Sequence, residues 1–150
     1  HTVMRLFCGY DGKDKEENIF DYFAAGWNRD GLALRGASHL MKRSPARNRI
    51  LIILTDASPN DDRRIPPDRT DGRLTGRDYS GEAGIEDTAE EVRQLRKDGV
   101  RVMAVLNGED GATEAARKIY GEDFTRIERI ENLSDAVGLL IQRQIEKMQR

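Results

Sequence analysis

The feature that most constrains the fold is a short apolar stretch that ends in an acidic residue. Residues 50–54 are five consecutive isoleucines and leucines, and Thr55 and Asp56 follow them directly. A run of this length, rich in β-branched side chains, predicts a strand that is buried on both faces. Because ligands in open α/β sheets bind where the buried strands end, Asp56 is the first candidate for a functional residue.

The composition indicates a single domain with a heavily charged exterior. The chain has 150 residues, of which 37% are hydrophobic and 35% are charged. Lys and Arg number 25 against 27 for Asp and Glu, a balance that gives no indication of a nucleic-acid or anionic-membrane partner. Apolar runs stop at about five residues, whereas a membrane span needs about 20. The single cysteine, Cys8, excludes an internal disulfide and favours a reducing compartment, so we expect a cytoplasmic protein.

The rest of the chain alternates between strand and helix patterns. Strands are predicted at residues 3–10, 49–55, 100–106 and 124–127, and helices at residues 16–25, 32–41, 85–97, 112–120 and 134–148. Asp30 and Ser134 are predicted to cap two of the helices. This order predicts one α/β domain over residues 1–150, with a doubly wound, mainly parallel sheet and helices on both faces.

A long polar tract at residues 57–83 interrupts this alternation. It holds three of the four prolines and shows no periodicity. We expect a long loop without secondary structure, and such loops are usually either functional or mobile. Both interpretations stay open. As a functional loop next to the strand end, it would influence the choice of partner.

Polar residues are expected to meet at the carboxyl edge of the sheet. They come from the turn at residues 27–31, the strand end with Asp56 and Ser58, and the loop with Asp61 and Asp62. Such oxygen ligands suit Mg²⁺ or Mn²⁺. Asp61 and Asp62 are adjacent and would point apart in an extended loop, which favours solvated charges over catalysis. The isolated histidines offer no zinc site, and neither a glycine-rich phosphate loop nor a nucleophile elbow is present.

Three sequence motifs together carry a resemblance to a known family. They are Leu-Thr-Asp-Ala-Ser-Pro-Asn-Asp at residues 54–61, Asn-Arg-Asp-Gly-Leu-Ala-Leu-Arg at residues 28–35 and Gly-Ile-Glu-Asp-Thr at residues 84–88. The chain resembles a von Willebrand factor A (vWA) domain, of the type found in nitric-oxide-reductase activation proteins (NorD) and the cobaltochelatase subunit CobT. The resemblance implies a Rossmann-like vWA fold.

The same resemblance implies a metal-ion-dependent adhesion site (MIDAS) that binds Mg²⁺ or Mn²⁺. Asp56 matches the family's aspartate after the fourth strand, and Asn28 stands where the family has threonine. Asp30 and Ser58 are further oxygen donors beside this partial site. The family's Asp-x-Ser-x-Ser motif is absent from the chain. We therefore expect an N-terminally incomplete domain that binds the metal weakly or not at all, and whose missing first strand comes from other residues, another chain or a swapped copy.

The function implied by the resemblance is protein interaction without catalysis. The expected partners are an AAA+ ATPase of the MoxR or chelatase type and a target metalloprotein or chelatase subunit, in metalloenzyme activation or cobalt insertion into a corrinoid during cobalamin biosynthesis. Two alternatives would also use Asp56. One is a Mg²⁺-dependent phosphoryl-transfer or hydrolytic enzyme, and the other is a receiver-like regulatory domain.

Overall fold

The computed structural model describes residues 26–65 and 77–148. The strand predicted at residues 3–10 and the helix predicted at residues 16–25 lie outside this part. The elements in chain order are α1 (Asp30–Lys42), β1 (Arg49–Thr55), β2 (Asp61–Ile65), β3 (Arg77–Tyr79), α2 (Glu82–Lys97), β4 (Val100–Leu106), α3 (Ala112–Tyr120), β5 (Phe124–Arg126), a 3-10 turn (Ile130–Asn132) and α4 (Leu133–Met148).

Three of the strands form a parallel sheet with β4 in the middle. β1 pairs with β4 from Arg49 opposite Val100 to Thr55 opposite Leu106. β5 pairs with the other side of β4, also in parallel. The mixed α/β class and the parallel pairing are therefore as predicted. Since β1 and β4 end level with each other, the loops that follow them emerge side by side.

The central strand separates two apolar clusters. Val102, Ala104 and Leu106 of β4 face a cluster that includes residues of α1, α2 and α3. Met103 and Val105 face the opposite side and pack against α4. All five side chains are at most 2% exposed. Alternate residues of one strand thus serve two cores, and helices lie on both faces of the described sheet, as predicted.

The prediction that the 49–55 strand is buried on both faces is wrong. Each residue of β1 keeps some exposure, and Leu54 is 54% exposed. In the part of the chain that the structure describes, β1 lies at the edge of the sheet and pairs only with β4. An apolar run alone does not distinguish a central strand from an edge strand, because burial also depends on what packs beside it.

The prediction of a structureless loop over residues 57–83 is wrong for residues 61–65 and 77–79, which form two strands. β2 and β3 pair antiparallel within this tract, with a register shift between Asp61 and Arg64. Helix α2 begins at Glu82, before the predicted start at residue 85. The missed strands are short and rich in arginine and aspartate, so neither alternation nor β-propensity could reveal them.

Both predicted helix caps are wrong, whereas a predicted helix end is confirmed. Asp30 is the first residue of α1, and Arg29 at the cap position makes no side-chain capping bond. Ser134 is the second residue of α4, which begins at Leu133 directly after the 3-10 turn. Gly99 follows α2 with φ of 78°, the left-handed conformation that glycine favours after a helix.

Among the described helices, none has the length and apolar character needed to cross a membrane.

Candidate functional site

The chain turns sharply after β1, and two side chains of the strand end hold this turn. The Ala57 amide donates to Thr55 Oγ1 at 2.9 Å, and the Ser58 amide donates to Asp56 Oδ1 at 3.0 Å. Ala57 has φ of 55°, which is unusual for a residue other than glycine, and it is buried. These short-range bonds offset the backbone strain and hold one oxygen of Asp56 in a fixed direction.

Two glycines, one in α2 and one after β4, lie in close contact with the same turn. A Cβ at Gly108, after β4, would lie 2.9 Å from the carbonyl oxygen of Asp56. A Cβ at Gly84, in α2, would lie 2.9 Å from the carbonyl oxygen of Pro59. A Cβ atom essentially never lies so close to a carbonyl oxygen. The backbone of residues 56–59 is therefore held between α2 and the loop that follows β4.

A backbone bridge joins this turn to the segment that leads into α1. The Asn28 amide donates to the Asn60 carbonyl at 2.8 Å, and the Asn60 amide donates back to the Asn28 carbonyl at 3.0 Å. The Asn28 side chain then donates from Nδ2 to Asp30 Oδ1 at 2.8 Å. Asn28 thereby brings the start of α1, with the carboxylate of Asp30, next to the end of β1.

The start of α1 and the end of β1 thus form a junction, and across it the charge of Asp56 acts on the pKa of Asp30. Burial is the main cause that raises the pKa of Asp30, and the negative charge of Asp56 raises it further. Hydrogen bonds from the side chains of Asn28 and Thr55 act in the opposite direction. Two negative charges that act on each other's surroundings in this way favour a bound cation.

The donor set suits a hard divalent cation held by few protein oxygens. Mg²⁺ commonly takes one or two carboxylates and keeps several waters, and Asp30 and Asp56 offer two. The Ser58 side chain is exposed beside them. Asn28 Oδ1 accepts the Asn60 amide at 3.3 Å, which leaves one lone pair of this oxygen for a further contact. Within residues 26–65 and 77–148, no three acidic, histidine or cysteine side chains form one metal-binding group.

Of the two loop carboxylates, Asp61 and Asp62, the structure describes the side chain of Asp61. Asp61 accepts from Nε of Arg29 at 2.6 Å, which neutralises its charge. The side chain of Asp62 lies outside the described part of the structure. Asp61 is thus a structural link between β2 and the segment before α1.

One buried tyrosine with a raised pKa was not predicted from the sequence as part of the site. Tyr120, the last residue of α3, is fully buried. Burial and the charges of Asp30 and Asp56 raise the pKa of its hydroxyl, while the Thr55 hydroxyl acts in the opposite direction. From the sequence, Tyr120 is only the final apolar position of a helix, and nothing in its spacing indicates which polar groups it approaches.

A second tyrosine, also missed from the sequence, anchors the start of α1. The Tyr79 hydroxyl donates to Asp87 Oδ2 at 2.8 Å and accepts the Gly31 amide at 3.3 Å. The guanidinium of Arg29 lies over its ring, 5.0 Å from the centroid. Burial, with a smaller contribution from Asp87, raises the pKa of Tyr79 to about 12. These contacts fix the backbone of the residue next to Asp30.

A cleft of about 670 Å³ opens beside Asp56. It lies between the turn after β1, the loop after β4 and the first residues of α2 and α3, and its lining includes Ser58, Gly81, Asn107, Gly108 and Ala112. The cleft places Asp56 at the wall of a space large enough to receive a protruding side chain or a short segment of another molecule.

Comparisons with known proteins leave the family open. No protein-family model and no solved structure matches the chain. The chain is similar to an uncharacterized protein of Pseudomonas aeruginosa, PA0525, with 27% identity over 117 residues, or 78% of this chain. The match spans only 17% of the length of that relative. Family membership, activity and partners are therefore matters of proposal.

Proposed function

We propose that this chain is a vWA-like domain that binds another protein through a divalent cation held at Asp56, without catalysing a reaction. The observation that carries the proposal is that Asn28 bonds both Asn60, in the turn after β1, and Asp30, so that the carboxylates of Asp30 and Asp56 lie at the carboxyl end of β1. Ligand sites of parallel α/β sheets lie at this edge. The three sequence motifs that resemble the NorD and CobT type fall on the same junction or on α2 behind it.

The cation in this proposal is Mg²⁺ or Mn²⁺. Two carboxylates supply two protein oxygens and leave the remaining positions to water and to an acidic side chain of the partner. An acidic side chain that entered the cleft beside Asp56 would reach the cation directly. With so few protein ligands, the 150-residue chain alone would bind the metal weakly.

The proposed partner is an AAA+ ATPase of the MoxR or chelatase type. The proposed task is metalloenzyme activation or cobalt insertion into a corrinoid, with a cytoplasmic location. This part of the proposal rests on the sequence resemblance. Asp56 is exposed beside a cleft, as a docking residue must be.

The proposal is tested by capture of a purified AAA+ ATPase of the MoxR type, with this protein as bait. Asp56→Asn removes the central charge. Asp98→Asn is the matched control, since Asp98 follows α2, away from the end of β1, and pairs with Lys42 at 3.0 Å. We expect capture in Mg²⁺ by the parent and by Asp98→Asn, and loss of capture by Asp56→Asn or in chelator.

Capture that persists both in Asp56→Asn and in chelator would contradict a cation-mediated contact. Turnover of a phosphate ester that depends on Asp56 would instead support the enzymatic alternative. Both readouts use the same three proteins and can be obtained in one series.

A further inference from the structure

Asp87 of α2 belongs to a sequence motif to which the proposed function assigns no role, the Gly-Ile-Glu-Asp-Thr motif at residues 84–88. Its carboxylate accepts two hydrogen bonds from other elements. Oδ1 accepts from Nη2 of Arg35 in α1 at 2.6 Å, and Oδ2 accepts from the Tyr79 hydroxyl in β3 at 2.8 Å. Asp87 therefore connects α2 to both α1 and β3.

The Asp87 carboxylate lies directly against the first turn of α1. A Cβ at Gly31 would overlap Oδ2 of Asp87, so glycine leaves the room that the carboxylate needs. Amides in the first turn of a helix have no acceptor within the helix, and the Gly31 amide donates to the Tyr79 hydroxyl at 3.3 Å. A negative charge is also favourable near the N-terminal end of a helix. Asp87 and Tyr79 together hold the residue next to Asp30.

The same face of α2 also contacts the other half of the candidate site. Gly84 lies three residues before Asp87 in α2, so both fall on one side of the helix. A Cβ at Gly84 would lie 2.9 Å from the carbonyl oxygen of Pro59, in the turn after β1. One helix face thus contacts the start of α1 at Asp87 and the turn that follows Asp56 at Gly84.

We propose that Asp87 is a positioning residue of the candidate site, and that with Gly84 it sets the spacing between the start of α1 and the turn after β1. These two segments are joined directly by the paired backbone bonds between Asn28 and Asn60. Both asparagines are exposed, so water competes for the bonds of this bridge. Contact of both segments with the same helix keeps the bridge closed.

For the cation, the inference rests on the proposed function. Asp30 belongs to the first of the two segments and Asp56 to the second. A site built from two segments needs both carboxylates at the correct distance at the same time. Without Asp87, the distance between them would vary more. Supporting contacts of this kind typically contribute about tenfold or more to metal affinity.

The test uses the variant Asp87→Asn, in the full chain without metal. Asparagine keeps the size of the side chain and removes the charge. Its amide group has one oxygen, so it cannot accept from both Arg35 and the Tyr79 hydroxyl as the two carboxylate oxygens do. The contact of Asp87 with α1 or with β3 is therefore weakened, while the side chain still fills its place.

Amide hydrogen exchange reports the effect at single residues. We expect exchange about tenfold faster at Gly31, and also at Asn28 and Asn60, whose amides form the bridge. The Asn107 amide donates to the Thr55 carbonyl at 2.9 Å and reports the end of β1 itself. Its exchange should stay unchanged.

Glu91→Gln is the matched control. Glu91 lies one turn further along α2 and accepts from Nε of the same Arg35 at 2.6 Å. The variant weakens the ion pair between α1 and α2 and removes one negative charge, as Asp87→Asn does. It leaves the bonds from Gly31 to Tyr79 and from Tyr79 to Asp87 in place. Exchange at Gly31 and at the bridge should therefore equal that of the parent protein.

Tyr79→Phe tests the same bonds from the other end, because it removes the hydroxyl that accepts the Gly31 amide. Exchange at Gly31 should rise as in Asp87→Asn, with no further rise in the double variant. Unchanged exchange in Asp87→Asn, either at Gly31 or at the bridge, would overturn the inference. An equal rise in Glu91→Gln would also overturn it, since general loosening between the two helices would then explain the effect.

Mn²⁺ titration separates this inference from the proposed function. Affinity should be about tenfold weaker in Asp87→Asn and unchanged in Glu91→Gln. Unchanged affinity in Asp87→Asn would overturn the positioning role. If the parent protein binds no Mn²⁺, the proposed function fails, while exchange at the bridge still decides whether Asp87 holds the two segments together.

Discussion

Replacement of Gly108 by alanine should destabilise the protein, and the structure explains why one methyl group is too many. The added Cβ would lie 2.9 Å from the Asp56 carbonyl oxygen and 3.0 Å from the Ala112 Cβ. The first of these contacts is with the main chain, which cannot rotate away as a flexible side chain can. The turn after β1 or the start of α3 must therefore move.

The expected magnitude follows from the two close contacts. Overpacking by a methylene or methyl group in a closely packed region typically costs about 1–3 kcal/mol. If the Asp56 carbonyl moved to make room, the close contact between the turn after β1 and Gly108 would be lost. We expect Gly108→Ala to lower the free energy of unfolding by an amount in this range, measured by urea denaturation.

Gly111→Ala is the matched control in the same loop. A Cβ at Gly111 meets no atom within 4 Å, and its φ of −66° suits alanine. Its free energy of unfolding should stay within about 0.5 kcal/mol of the parent value. Equal values for the two alanine variants would refute the argument that the Asp56 turn is held by close contact with Gly108.

Two further predictions concern the anchor of α1 and the edge of the sheet. Tyr79→Phe should lower the free energy of unfolding by about 1–2 kcal/mol, because the hydroxyl bonds to Asp87 and Gly31 are lost. Burial raises the Tyr79 pKa to about 12, so the stabilisation from the neutral hydroxyl is complete below about pH 10 and is lost as the pH rises towards 12. Between about pH 9 and pH 11, the free energy of unfolding should therefore fall less in Tyr79→Phe than in the parent protein. Leu54→Ala should change stability by less than about 1 kcal/mol, because Leu54 is 54% exposed, whereas Leu106→Ala, at a fully buried position, should lower it by about 2–5 kcal/mol. Similar losses for the two variants would contradict the difference in burial between the ends of β1 and β4.

Elements with a strong apolar period were predictable from the sequence. Helix α2 shows this, since Ala89, Val92 and Leu95 recur at helical spacing and all three are buried. The predicted end of that helix at residue 97 is also confirmed. Such features depend on local conformational preferences and on one face of a regular element, and both are written in consecutive residues.

The β2–β3 hairpin was not predictable by the same means. Its strands carry charged residues, and part of their support is tertiary: Asp61 binds Arg29, and Tyr79 binds Asp87. The cap predicted at Asp30 failed for a local reason. Its carboxylate accepts a hydrogen bond from the side chain of Asn28, two residues before it, and Asp30 is itself the first residue of α1.

By itself, the sequence determined that a strand ends at Asp56 and that a helix begins near Asp30, because strand and helix patterns are local. Only the tertiary structure decided that these two residues lie next to each other, through the bridge between Asn28 and Asn60, and that Tyr120 is fully buried. It also decided that β1 keeps its apolar side chains partly exposed. Contact between distant residues depends on how the elements pack, and burial depends on what covers a surface; neither quantity is a property of a single stretch of chain.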